Sequence, residues 1–162
     1  MNESRLSEAT RLEEKERNFE GAIALLLELL REDPNCIEAY VHLTANSGIL
    51  KRFHQAEYYA RKALLINPQS GRAHYYLACA LRDQYRLDEA YEEMEQALAL
   101  IRKEVYAGSI AASKGIELPL FGWGAKVEED ARLLRMQMLL QRKRKHGSLQ
   151  EAPQFTPIVG GM

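Results

Sequence analysis

Apolar positions along this chain recur with a helical spacing, and the whole pattern then recurs in turn. Over 38–50 the apolar residues are Ala39, Tyr40, Leu43, Ile49 and Leu50, which is helical rather than alternating spacing. Lys51 and Arg52 break the stripe. A second helical stripe follows over 53–66, with Phe53, Ala56, Tyr59, Ala60, Ala63 and Leu64 on its apolar face. Pro68 ends this unit, because the residue before a proline is pushed out of helical geometry. The same plan repeats over 72–84 and again from Leu87 onward. Upstream, 19–30 is strongly apolar and closes at Pro34, whereas 4–16 offers only Leu6, Ala9 and Leu12. Each unit predicts two helices joined by a short turn.

The unit length is thirty-four residues. With 35–70 set above 69–104, Ala39-Tyr40 falls on Ala73-His74, Leu43 on Leu77, Ala56 on Ala90, and Ala63-Leu64 on Ala97-Leu98. One repeat earlier, Ala22 precedes Ala56, and Asp33-Pro34 precedes Asn67-Pro68. A fixed period in this range signals an array of stacked units rather than one closed core. Paired helices approach most closely where side chains are small, so Ala22, Ala56 and Ala90 are predicted at the crossings.

This pattern resembles the tetratricopeptide (TPR) repeat family over roughly 3–101. The family's small residue at the helix crossing falls on Ala22, Ala56 and Ala90, and its second small residue on Ala63 and Ala97, with Leu29 departing. Its terminal proline falls on Pro34 and Pro68, and Arg102 stands there in the third unit. The aromatic before the crossing is Phe19 and Phe53, replaced by Leu87, and the Leu-Gly pair becomes Leu43-Thr44 and Leu77-Ala78. The resemblance implies an all-α, right-handed superhelical solenoid of about three helical hairpins, at 3–36, 37–70 and 71–104, within a single domain spanning 3–147.

After Ile101 the period stops. With no proline at 102, the last repeat helix is expected to run on from Ala90 to about Ser113, weakened at Gly108 and ended by Gly115. An apolar loop is expected over 115–125, containing Leu118, Leu120, Phe121 and the single tryptophan, Trp123. It either covers the open end of the array or presents Phe121 and Trp123 as a second ligand contact. The stretch 126–146 reads as a capping helix with Val127, Ala131, Leu134 and Met138 on one face, since terminal repeats need a cap with a polar outer side. Its basic end, Arg142-Lys143-Arg144-Lys145-His146, suits a helix C-terminus better than nucleic acid or an anionic membrane. The tail, 148–162, carries an apolar strip, Phe155 to Val159, expected to pack on the array or on a neighbouring copy.

Composition narrows the function classes. The chain has 162 residues, 46% of them apolar, and a net charge of −1, which argues against a mainly electrostatic nucleic-acid binder. It has no apolar run near membrane-spanning length, and its first residues lack the order of a secretory signal. Two cysteines, Cys36 and Cys79, sit in different repeats without a pairing pattern, so a reducing, cytoplasmic location is expected. The four histidines form no metal-binding spacing, Cys79 has no evident orienting acid, and no glycine-rich phosphate loop appears. His74 holds a repeat position usually taken by a core aromatic and is expected to be packed. No catalytic residue, metal, cofactor or small-molecule substrate is expected.

The resemblance implies that the first helix of each pair lines a concave groove. Carried onto this chain, that groove includes Ser7, Arg11, Glu38, Val41, Ala45, Ile49, Arg72, Tyr75, Cys79 and Arg82, with His42 and Asn46 at its edge. Arginine beside tyrosine suits a peptide bearing an acidic group. Of the positions matching the chaperone-tail clamp, Ser7, Arg11, His42, Arg72 and Tyr76, only Arg72 keeps the required charge, so that clamp is not expected. The expected function is non-catalytic protein or peptide binding, as an adaptor or assembly scaffold. The alternative is a dedicated cytoplasmic chaperone for an apolar client, resembling chaperones of bacterial secretion translocators, and a nucleic-acid binder ranks last. A homodimer through the end of the array is left open.

Overall fold

The computed structural model describes residues 2–107, 120 and 122–150. Among them are seven helices: α1 (Asn2–Glu14), α2 (Phe19–Glu32), α3 (Ile37–Ile49), α4 (Phe53–Ile66), α5 (Gly71–Asp83), α6 (Leu87–Val105) and α7 (Trp123–Gln150). No strand occurs among the described residues.

The turns between hairpins explain why an Asp/Asn-Pro pair recurs. Asp33 Oδ1 accepts from the Asn35 N–H at 3.2 Å, and Asn67 Oδ1 accepts from the Gln69 N–H at 2.9 Å. A short amide or carboxylate side chain thus closes the turn that the proline opens. The next helix starts with its own cap where Ser70 Oγ accepts from the Ala73 N–H at 3.2 Å. Ile101-Arg102 supplies neither side chain, and α6 continues to Val105.

The turns inside hairpins have a different signature. Arg17, Lys51 and Tyr85 have φ of 50°, 59° and 61°, so three non-glycine residues one period apart adopt the left-handed conformation. Asn18 follows the first of them and caps α2 through Gly21 N–H at 2.9 Å, while Arg52 and Arg86 follow the others.

Each helix packs against its successor, and α3 also packs against α5. The crossing alanines are sealed, with Ala22 and Ala90 at 0% and Ala56 at 1% exposure. The core is a chain of clusters rather than a single centre. One joins Leu26 and Leu29 to Ala9, Ala39 and Leu43, a second joins Val41, Ala63 and Ala73, and a third joins Leu77, Leu81 and Met94 to Val127 and Leu134. The departing Leu29 fills the first cluster where later repeats carry alanine.

The end of the array differs from expectation in two places. Helix α6 stops at Val105 with Tyr106 as its cap, short of Ser113, while 108–119 lie outside the described residues. Helix α7 begins at Trp123, so the last part of the expected loop is helical, and it runs on to Gln150. Gly122, at φ 58°, makes the turn into it. Leu120 is buried in the third cluster. Among the described residues no helix is long and apolar enough to cross a membrane.

Candidate binding groove

The helices α3 and α5 meet side by side, as first helices of successive hairpins, and a cavity of about 300 Å³ lies between them. Ala45, Gly48 and Ile49 line it from α3, and Tyr76, Cys79 and Ala80 from α5. Alanine and glycine at these turns leave the space, Tyr75, Tyr76, Thr44 and Asp83 complete the lining, and Ile49 keeps 54% of its surface in solvent. Such an exposed aliphatic side chain beside a trough is the kind of group a partner covers. A larger cavity, of about 810 Å³, opens between the end of α5 and the second half of α7, lined by Arg82, Tyr85, Leu140 and Arg144 among others. Asp83 borders both cavities, so the two adjoin.

Of the expected groove residues, Ala45, Ile49, Tyr75 and Cys79 come together at the first cavity and Arg82 lines the second. The others are placed elsewhere. Val41, at 4% exposure, is turned into the core with Ala63 and Ala73. Arg11 pairs with Glu8 and Glu16 of its own segment. Glu38 and Arg72 are exposed near the starts of their helices and line neither cavity. Phe121 and the Phe155 to Val159 strip lie outside the described residues.

His42 and Asn46 are used internally. His42 Nδ1 lies 2.8 Å from Glu13 Oε2, and Asn46 Nδ2 donates to Glu13 Oε1 at 2.7 Å. Glu13 therefore bolts α1 to α3, and the buried Asn46 has its partner. The sequence offers a signal for this contact: an acidic residue about one period upstream of two polar residues one turn apart.

Tyr75 is the largest departure. Its ring is 4% exposed, and its hydroxyl donates to Asp130 Oδ2 at 2.7 Å. Lys126 Nζ donates to the Tyr75 oxygen at 2.8 Å and to Asp130 at 3.0 Å, and Trp123 packs edge-on with ring centroids 5.4 Å apart. The phenol that was expected to meet a ligand instead fastens α7 to α5. Burial, then the nearby Cys79 and Asp130, push its pKa far above the usual range. Burial would raise the Asp130 carboxyl, but hydrogen bonds from Tyr75 and Lys126 hold it below its usual value. Burial also raises the Cys79 thiol, which keeps it protonated and a poor nucleophile. Arg82 is held charged by Asp83, against the cost of its own burial. Among the described residues, no group of acidic, histidine and cysteine side chains is arranged to hold a metal ion.

No family model matches the chain, and no curated protein matches it. Solved structures do. The type III secretion translocator chaperone SycD of Yersinia enterocolitica superposes with a TM-score of 0.67 at 15% identity, over 85% of this chain and 93% of that one. SycD in complex with a peptide of the translocator YopD gives 0.63 at 15% identity, over 84% and 93%. The TPR2B domain of yeast Sti1, in its pHsp70 complex, gives 0.63 at 19% identity, over 83% and 98%. At these identities the likeness is one of fold, and the chain has the tetratricopeptide-repeat fold, with three helical hairpins and a C-terminal helix among the described residues.

Proposed function

We propose that this protein binds an extended, mainly apolar segment of another protein in the trough between α3 and α5. The observation that carries the reading is the cavity itself, a mainly apolar space between alanines, Gly48 and the rings of Tyr75 and Tyr76, bordered by the half-exposed Ile49. A narrow apolar trough accepts aliphatic side chains and excludes bulky folded surfaces. Asp83 at its end offers an acceptor to a partner's backbone N–H or cation. The adaptor reading needs nothing further from the chain. Expected groove residues Arg72 and Glu38 would act, at most, on flanking parts of the partner. The test is capture from native lysate with wild type beside an Ala45→Arg variant at the half-buried trough wall and an Ile49→Asp variant at its exposed rim. A partner retained equally by all three moves binding off the trough.

A second reading is favoured by the match over 93% of SycD, both alone and with a translocator peptide. In this reading the chain is a dedicated chaperone that holds one apolar client in a reducing, cytoplasmic setting, where free Cys36 and Cys79 stay reduced. Co-expression separates the two readings. A chaperone's client aggregates without it and stays in solution with it, whereas an adaptor's partner folds alone.

A further inference from the structure

The outer side of α7 carries an exposed apolar strip that no other described element packs against. Leu133, Met136 and Leu140 are 45%, 52% and 50% exposed. At 3.6 residues per turn they form one strip, opposite Val127, Ala131, Leu134 and Met138, which are buried against the array. Leu140 also stands at the rim of the larger cavity. The charges bounding the strip are arranged with opposite signs at its two ends. Glu129, 59% exposed and only loosely paired with Arg132 at 3.4 Å, lies one turn before Leu133. Lys143 and Arg144, both exposed, lie one turn after Leu140.

We infer that this strip is a self-association face, on which α7 of a second copy packs antiparallel about a twofold axis near Met136. The spacing is what selects a second copy. Glu129 is seven residues before Met136, and Lys143 is seven after it. An antiparallel pair centred there sets Glu129 of each copy beside Lys143 and Arg144 of the other, and Leu133 beside Leu139 and Leu140. A parallel pair would set Glu129 on Glu129 and Lys143 on Lys143, and like charges across a helix interface repel. A twofold interface is self-complementary by construction, and this strip has that property in its apolar centre and in both charged ends. The matched length, from 129 to 144, is about 22 Å at 1.5 Å per residue. One helix face is smaller than the about 1,600 Å² of a standard stable interface, so the dimer is concentration-dependent in the micromolar range.

The experiment is sedimentation equilibrium of the full chain over a micromolar concentration series. Wild type shifts from monomer to dimer, and Leu133→Glu with Met136→Glu stays monomeric with unchanged helical circular dichroism. Glu129→Arg weakens association about tenfold, the loss of two weak ion pairs per dimer. Adding Lys143→Glu and Arg144→Glu to that variant restores it, which loss of structure cannot do. Paired cysteines at Glu129→Cys and Arg144→Cys, in a background with Cys36 and Cys79 as serine, cross-link between copies. A wild type that is monomeric throughout overturns the inference. A dimer that survives the double glutamate variant, or one lost when only 151–162 are removed, overturns it as well, the last by making the tail the occupant.

Discussion

Arg86 Nη1 donates to both carboxylate oxygens of Glu57, at 2.9 and 2.8 Å, and so ties the start of α6 to the preceding hairpin. Gln84 and Arg61 donate to the same carboxylate at 2.9 and 2.8 Å. One period earlier Arg52 grips Glu20 with two nitrogens, but that pair stands in solvent, with 43% and 58% of the two side chains exposed. Glu57 is only 14% exposed. Arg52→Ala is therefore expected to change stability by less than about 0.5 kcal/mol, whereas Arg86→Ala costs about 1–2 kcal/mol because it takes from a largely buried carboxylate one of its two cations. Chemical denaturation of the two variants side by side checks the ranking, and equal effects would refute it.

The same site sets an acid limit. Burial would raise the Glu57 carboxyl, but hydrogen bonds from Gln84, Arg61 and Arg86 bring it down to about 2 from an ordinary value of 4.5. A depressed carboxylate contributes stability that is present above pH 4.5 and is lost as pH falls toward 2. Glu57→Gln is expected to flatten this part of the curve, leaving a variant less stable than wild type at pH 7 and nearly equal to it near pH 2. Parallel slopes for the two proteins across that window would count against the assignment.

His74 gives the opposite slope. Its Nδ1 lies 2.6 Å from Glu93 on α6 and its Nε2 3.0 Å from the Pro68 carbonyl, so the ring joins α5, α6 and the turn before them. The Glu93 hydrogen bond raises its pKa above 6.5, against burial, and the Pro68 carbonyl adds to the rise. A raised histidine contributes stability that is fully present below pH 6.5 and fades as pH climbs through the higher folded value. Thermal melting of wild type should therefore fall between mildly acidic and alkaline buffer by more than that of His74→Gln. Identical falls would show that the ring stays neutral.

Much of this fold was legible because its physics is local. Ala22, Ala56 and Ala90 announced the crossings, and the bounds of α4 were those read from its apolar stripe. Prolines 34 and 68 marked turns whose Asp33 and Asn67 side chains do the closing. The groove was legible only in part. Periodicity places a residue on a helix face, but it does not say what will later cover that face. Tyr75 sits on the face that periodicity gives it, and Asp130, fifty-five residues on, takes its hydroxyl. Val41 and Ala45 share one face at one-turn spacing, yet the first is buried and the second borders the trough. The difference lies in what the neighbouring helices cover, since Val41 packs against Ala63 of α4 and Ala73 of α5, and no window of sequence contains that. The start of α7 was missed because Gly122 and Gly124 read as loop residues, whereas the first supplies a positive φ and the second packs tightly under Leu120.

The crossing alanines allow a direct test of the packing. Ala56 and Ala90 have no free surface, so added volume has nowhere to go. Ala56→Leu or Ala90→Leu is expected to cost about 1–3 kcal/mol through overpacking. Ala24, exposed on α2, accepts the same change with little effect. Urea midpoints for the three variants make the comparison, and a tolerant Ala90 would mean that α5 and α6 can separate without loss.

The left-handed residues make a stabilising prediction. At Lys51, φ of 59° sets the side chain against the following carbonyl, a conformation costing about 1–2 kcal/mol in an L-residue and nothing sterically in glycine. Glycine loses more entropy on folding, about 0.5–1 kcal/mol, so the net gain of Lys51→Gly is smaller than the strain. It should still be positive, about 0.5 kcal/mol, because Lys51 is exposed and holds no ion pair among those described. Tyr85→Gly should gain a similar amount, since Tyr85 has φ of 61°, is 83% exposed and, like Lys51, stands at the rim of the larger cavity. Equilibrium denaturation of both variants decides the matter. A destabilised Lys51→Gly would show that the lysine stem contributes packing at the α3–α4 turn that outweighs the backbone strain.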